Sequence, residues 1–247
     1  APDEYTRPIG TELHGSGFHA VAFVGEQLNR FGVQHHPLPA IAIEAVIGFQ
    51  FTANRCADET SSDSADKAAR FIMDCNQRKI PLVFIHDTTG FMVGREVEQM
   101  GIAKAGAKMI TAMSSARVPK FTIITGGSYG AGYLAMLGRP FQPDAMFAWP
   151  TGRSAIMGPE QAASVLAQVR AQINEREGKS WTPEEAEAFK APIRKEYEDF
   201  QGAYNFASNL WIDSVIEPCE TRDVMALMLD VTSRRPKAET NFGVFRM

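Results

Sequence analysis

The run Gly126-Gly127-Ser128-Tyr129-Gly130-Ala131-Gly132 contains the residue types from which an anion site can be built without a charged side chain. Glycine lets backbone N–H groups approach a ligand with nothing between, and a helix start adds partial positive charge. The mostly apolar residues 118–125 before it and 133–137 after it read as a strand, a tight glycine turn and a helix start. Gly126, Ser128 and Gly130 also satisfy G-x-S-x-G, the nucleophile elbow of serine hydrolases. Two chemistries compete for these residues: acyl transfer through Ser128, or stabilisation of a developing oxyanion by backbone N–H groups.

The histidines weigh on that choice. All five, His14, His19, His35, His36 and His86, precede Ser128, so the Ser, acid, His order of α/β-hydrolases is impossible. Another order, with His86 and Asp87 at a neighbouring strand end, stays open because triads are defined by geometry. Against it, adjacent residues point to opposite faces of a strand, and His86 reads as a hydrogen-bonded strand-end residue. Residues 101–108 lack a contiguous G-K-[S/T], and Gly130-Ala131-Gly132 is not followed by the third glycine of G-x-G-x-x-G, so neither phosphate fingerprint is met. His35-His36 has no companion at metal-ligand spacing. Cys56, Cys75 and Cys219 are odd in number and widely spaced, so no disulfide framework or metal site is expected. Met92, Met100, Met109, Met113, Met136 and Met157 read as packing residues.

Chemistry of this kind needs a scaffold that presents loops at one edge. The 247 residues are 45% hydrophobic and 22% charged, ordinary for a globular chain. A balance of 25 basic to 29 acidic residues gives no general support for nucleic-acid binding. No apolar run approaches a membrane span, and the first ten residues lack a signal pattern, so a cytoplasmic location is expected. One or two strands are expected over 41–53, a helix over 65–78, and a buried strand over 80–85 closed by the turn residues Asp87-Thr88-Thr89-Gly90. A helix over 101–116 and a strand over 121–125 repeat the pattern, placing loops 87–94 and 126–132 at the carboxyl ends of successive strands, where open α/β sheets bind ligands. A strand over 146–149, a helix from Pro159 to about Gln172 and a helix over 221–231 follow. Residues 173–199, rich in Glu, Lys and Arg with Thr182-Pro183-Glu184-Glu185 as a helix start, read as a solvated helical projection. Residues 1–46 are poorly patterned, and residues 233–247 read as a terminal extension.

Several segments together are similar to one family. Asp87-Thr88-Thr89-Gly90-Phe91-Met92-Val93-Gly94, Gly101-Ile102-Ala103-Lys104 with Gly106-Ala107-Lys108-Met109, and Val118-Pro119-Lys120-Phe121-Thr122 leading into Gly126–Gly132 resemble the carboxyltransferase (β) subunits of biotin-dependent acyl-CoA carboxylases. Trp149-Pro150, Met157-Gly158, Glu160-Gln161-Ala162-Ala163, Ala191-Pro192-Ile193 and the ending Phe242-Gly243-Val244-Phe245-Arg246-Met247 most resemble the methylcrotonyl-CoA and geranyl-CoA branch. The resemblance runs over 47–247 and leaves 1–46 unaligned.

It implies an α/β crotonase (ClpP-like) fold of repeated ββα units, here the C-terminal, biotin-side half. The partners implied are an N-terminal carboxyltransferase half that binds acyl-CoA, an opposing β subunit and a biotin-carrying α subunit, together a large hetero-oligomer such as six α plus six β. This chain would then hold half a site, with biotin carried on a partner and no metal. In such a mechanism carboxybiotin releases CO₂, the biotin enolate takes a proton from the acyl-CoA, and the acyl enolate attacks CO₂. Each enolate needs an oxyanion hole rather than a protein base. The N–H groups of Ala131 and Gly132, with Gly130 shaping the turn, match the biotin-side hole. Phe91, Met92, Val93, Gly94, Gly101 and Gly127 match the biotin-binding region, and Tyr133 and Leu134 the acyl-chain side. Tyr133-Leu134 departs from the Asn-Tyr expected of a methylcrotonyl-type enzyme, which leaves the acyl group open. Under this reading Ser128 is a turn hydroxyl bonded to nearby backbone. Also open are a carboxyltransferase for a biotin-dependent decarboxylase or for a saturated acyl-CoA, a serine hydrolase and a non-catalytic scaffold half. The location implied is the bacterial cytoplasm, or the mitochondrial matrix in a eukaryote.

Overall fold

The structure is a computed structural model and describes residues 46–47, 59–60, 62–236, 238–240 and 242–243. The readings of 1–46 apart from Val46, of His14, His19, His35 and His36, of Cys56, and of most of the strand expected over 41–53 lie outside these residues.

A parallel sheet forms the centre. Its strands are β1 (Val46–Ile47), β3 (Leu82–Thr88), β5 (Lys120–Tyr129), β6 (Ala145–Ala148) and β8 (Ser214–Val215), side by side in that order, with β7 (Arg153–Ala155) paired to the far end of β5. A two-stranded parallel sheet joins β2 (Glu59–Thr60) to β4 (Gly90–Phe91). The helices are α1 (Ser62–Arg78), α2 (Arg95–Gln99), α3 (Ile102–Ser115), α4 (Gly130–Ala135), α5 (Pro159–Arg176), α6 (Pro183–Phe200), α7 (Ala203–Ser208) and α8 (Thr221–Ser233). The repeat is strand, short offset strand, helix: β3 with β4 and then α2–α3, the two halves of β5 and then α4, and β6 with β7 and then α5.

Period-two alternation sorts the strand side chains between two faces. Leu82 and Phe84 join Ala65, Ala68, Ala69 and Ile72 of α1 and Met109 and Met113 of α3 in one buried cluster. Val83, Phe121, Ile123 and Phe147 face the other way, against Met225 and Leu229 of α8. A third cluster packs Ile124, Met146 and Ala148 on Ala203, Phe206 and Ile212. In α1, buried Ala65, Ala68, Ala69, Ile72 and Cys75 recur at helical spacing, which is why this stretch lies flat on the sheet. Of the methionines read as packing residues, Met109, Met113 and Met136 are fully buried, whereas Met100 is 69% exposed.

Three local readings change. Asp87-Thr88 continues β3 and Gly90 opens β4, so the expected turn is two strands meeting at an offset. Residues 126–129 belong to β5, so the glycine run is not one turn: its first four residues are strand and its last three begin α4. The register explains this. His86 pairs with Ile124 but Thr88 with Ser128, so β5 carries two extra residues, and the bulge falls on the glycines. The third change is α5, which runs to Arg176 rather than ending near Gln172. The projection is a pair of helices, α5 and α6, packed on each other. No residue of α6 is buried, and Thr182 and Glu185 close a capping box at its start. Among the described residues no helix is long and apolar enough to cross a membrane.

Candidate active site

The chain leaves β5 at Tyr129 and enters α4 through Gly130, whose φ of +54° lies in the left-handed region. A Cβ at Gly130 would also sit 2.9 Å from the Ile156 carbonyl oxygen. Two residues on, a Cβ at Gly132 would lie 2.9 Å from Gly90 Cα, so α4 rests directly on the backbone of β4. Among the described residues no side chain caps this helix, and first-turn amides have no acceptor inside a helix. The N–H groups of Ala131 and Gly132 are therefore donors fixed in direction by a tightly seated backbone. Ala131 is exposed and Gly132 buried.

Side chains from β3 organise the approach. Asp87 points outward and its Oδ1 accepts the Gly127 N–H at 3.1 Å, across the bulge. A Cβ at Gly126 would meet that same Oδ1 at 2.2 Å, so the first glycine of the run makes room for Asp87. His86 points inward. Its Nε2 lies 2.6 Å from the Met136 carbonyl oxygen and its Nδ1 2.7 Å from Ser128 Oγ, and both side chains are 0% exposed. A carbonyl only accepts, so Nε2 carries the proton, and Nδ1 of the neutral ring accepts the Ser128 hydroxyl. Burial pushes the imidazole down to about 4, against the opposing pull of the Met136 hydrogen bond. Tyr129 donates its hydroxyl to Gln201 Oε1 at 2.7 Å, and burial raises its phenol above the usual range, with Arg153 pulling the other way.

Ser128 is thus a strand residue bonded to an imidazole, not the turn hydroxyl expected from its neighbours. The serine and histidine of a hydrolase do meet, but both are sealed from solvent, and the far ring nitrogen meets a carbonyl where a triad has a carboxylate. Asp87 is on the opposite face. No substrate carbonyl reaches Ser128 in this arrangement.

The residues expected on the biotin side form a shelf beside α4. Phe91 lies over Gly106, where a Cβ would sit 3.2 Å from its ring. Met92 is half-buried, Val93 is 86% exposed, and Gly94 and Gly101 have open space where a side chain would stand. The contact of Gly132 with Gly90 brings this shelf next to the α4 amides. Gly127 stands apart, since its N–H is taken by Asp87. Of the acyl-side pair, Leu134 is 36% exposed, whereas Tyr133 packs inward: its ring stands edge-on to His86 and its hydroxyl accepts the Arg139 N–H at 2.8 Å. Burial raises the Tyr133 phenol. Among the described residues no group of three or more His, Cys, Asp or Glu side chains is placed to hold a metal.

Sequence reasoning missed the His86–Met136 contact, although the signal was present. Leu82, Phe84 and His86 alternate on one face, and the first two are core residues, so the third is buried by the same period.

The parallel sheet built from strand, offset strand and helix is a crotonase-type fold, and the chain belongs to the carboxyl transferase domain family, which matches residues 45–245. Among relatives, it is 51% identical over 186 residues to a biotin-dependent 3-methylcrotonyl-coenzyme A carboxylase beta1 subunit of Mycobacterium tuberculosis, covering 75% of this chain and 35% of that one. The crystal structure of the geranyl-CoA carboxylase beta subunit from P. aeruginosa superposes with a TM-score of 0.68 at 38% identity, over 82% of this chain and 37% of the other. A transcarboxylase 12S crystal structure, a hexamer with methylmalonyl-coenzyme A and methylmalonic acid bound, gives 0.62 at 34% identity, over 75% and 35%. The chain spans about a third of the length of the proteins it matches.

Proposed function

We propose that this chain forms the biotin-side surface of a carboxyltransferase that moves a carboxyl group from carboxybiotin to an acyl-CoA, as a component of a biotin-dependent acyl-CoA carboxylase. The observation that carries the reading is the pair of uncapped amides at Ala131 and Gly132, seated on Gly90 beside the 91–94 shelf. The residues fit the cofactor. A ureido ring is flat and neutral with one strong acceptor oxygen, matching the N–H donors of an uncapped helix start and an exposed apolar lip at Val93. When bound, the group would supply the carboxyl to be transferred and the base that takes the proton from the acyl-CoA. Ala131 and Gly132 hold the negative charge that develops on the ureido oxygen, and Gly130 sets their direction. Met92, Val93, Gly94 and Gly101 receive the ring, and Leu134 bounds the acyl side.

The acyl group proposed is branched or unsaturated, of the 3-methylcrotonyl kind, supported by the greater identity to that relative than to the transcarboxylase. The acyl-CoA itself is held by an N-terminal carboxyltransferase half on an opposing β subunit, and a biotin-carrying α subunit delivers the cofactor. Six copies of each subunit in the cytoplasm is the assembly proposed, in keeping with the hexameric transcarboxylase.

The test reconstitutes the β subunit with both halves and its biotin-carrying partner, then follows transfer from the carboxylated carrier to 3-methylcrotonyl-, geranyl-, propionyl- and acetyl-CoA. The branched unsaturated substrates give the highest kcat/KM. In Gly132→Ala, whose methyl group meets the Gly90 backbone, kcat falls about 100-fold or more, the scale of losing an oxyanion donor. No transfer to any of the four, or a Gly132→Ala enzyme as fast as wild type, contradicts the reading.

A further inference from the structure

The six-residue α4 carries the proposed donors, yet a helix this short does not hold itself together. Its flanks are tied instead. Ser128 stands two residues before Gly130, Met136 immediately follows Ala135, and one imidazole touches both: Nδ1 at 2.7 Å from Ser128 Oγ and Nε2 at 2.6 Å from the Met136 oxygen. A second strand side chain takes the next carbonyl, Thr122 Oγ1 donating to Leu137 at 2.8 Å. All five residues, His86, Ser128, Met136, Thr122 and Leu137, are buried. Leu137, at the end of α4, adopts a left-handed φ of +71°, uncommon outside glycine, so this exit needs outside support. None of these side chains reaches the exposed site, so each acts through the backbone it anchors.

We propose that His86 is a positioning residue for the oxyanion hole: by clamping Ser128 and the Met136 carbonyl at once, it fixes the direction of the Ala131 and Gly132 amides. This rests on the reading of those amides as the hole. The neutral ring suits the task because its nitrogens offer one donor and one acceptor on opposite sides of a rigid plane, matching the carbonyl and the hydroxyl. An apolar residue of similar size fills the space but holds neither end. Glutamine keeps a donor for the Met136 oxygen. Ser128→Ala releases one end only.

The experiment compares His86→Leu, His86→Gln and Ser128→Ala in the fully assembled enzyme, reading kcat, the KM for acyl-CoA and hydrogen exchange of the backbone over 130–136. In His86→Leu, kcat falls at least tenfold with KM for acyl-CoA within twofold of wild type, and exchange over 130–136 speeds up. His86→Gln recovers most of both. Ser128→Ala loses about three- to tenfold in kcat, the worth of one hydrogen bond, where loss of a nucleophile would cost about 10⁴-fold or more. Unchanged kcat or unchanged exchange in His86→Leu overturns the clamp. If His86→Leu fails to assemble, Ser128→Ala decides by the same two readouts. A wild-type enzyme that transfers no carboxyl group refutes the function proposed above, while the exchange measurement still decides whether His86 orders α4.

Discussion

His86 and Asp87 are neighbours in the chain and do opposite work, because a strand turns consecutive side chains to opposite faces. Asp87 faces the carboxyl-end rim and ties down Gly127, whereas His86 lies in the interior, its ring nitrogens bonded to Ser128 and the Met136 carbonyl. The interior residue has a consequence for acid stability. Its imidazole stays neutral in the fold down to about pH 4, while in the unfolded chain it protonates near 6.5. Between those values the unfolded state binds a proton that the folded state does not, so stability falls as pH falls through the window. The loss between pH 7 and pH 4 amounts to about 3 kcal/mol. Urea unfolding of wild type and His86→Gln at the two pH values checks this: the wild-type protein loses that much more than the variant, and parallel losses contradict the assignment of a buried neutral ring.

At the scale of elements, the legible parts were those with strong periodicity or a local chemical signature. The helix over α1 and the capping box at Thr182 are written in side-chain types alone. The boundary between strand and turn at Gly126–Gly132 was not legible, because it depends on a pairing register. Nothing in the glycines shows that β5 carries two residues more than β3, or that a carboxylate 40 positions earlier occupies the bulge. Only the last three residues of the run begin a helix, and the G-x-S-x-G match is a coincidence of a buried strand serine with two glycines that serve backbone geometry. Tyr133 could not be placed inward from sequence for the same reason, since its partners, Arg139 and Met146, follow from how α4 exits. The α6 cap allows a separate check. Thr182→Ala removes the acceptor of the Glu185 N–H and destabilises the start of that helix by about 1 kcal/mol. Hydrogen exchange rises at 183–187 while carboxyl transfer is unchanged, because Thr182 is exposed and α6 buries none of its residues. A transfer defect in Thr182→Ala shows instead that the helix pair takes part in the site.

Across the whole molecule, one arrangement recurs and the function proposed grows from it. β1, β3 and β6 are each followed by a short offset strand and a helix, and β5 by its own bulged end and α4, and the offsets gather backbone at one rim: β4 beneath α4, and Ile156 after β7 against Gly130. The rim offers the exposed Ala131 amide and an apolar shelf, and its carboxylate, Asp87, is engaged with the Gly127 N–H, which suits a reaction whose base arrives with the cofactor. The membership in the carboxyl transferase family and the 51% identity to a methylcrotonyl-CoA carboxylase subunit agree with that chemistry. The backbone amide of Ala131 is the donor proposed for the developing charge, and a single substitution removes it. Ala131→Pro deletes the N–H at a first-turn position where helices tolerate proline. In the assembled enzyme, kcat for carboxyl transfer falls about 10²- to 10³-fold while KM for acyl-CoA changes less than threefold. A variant that assembles and turns over within threefold of wild type would show that the reaction does not use this amide.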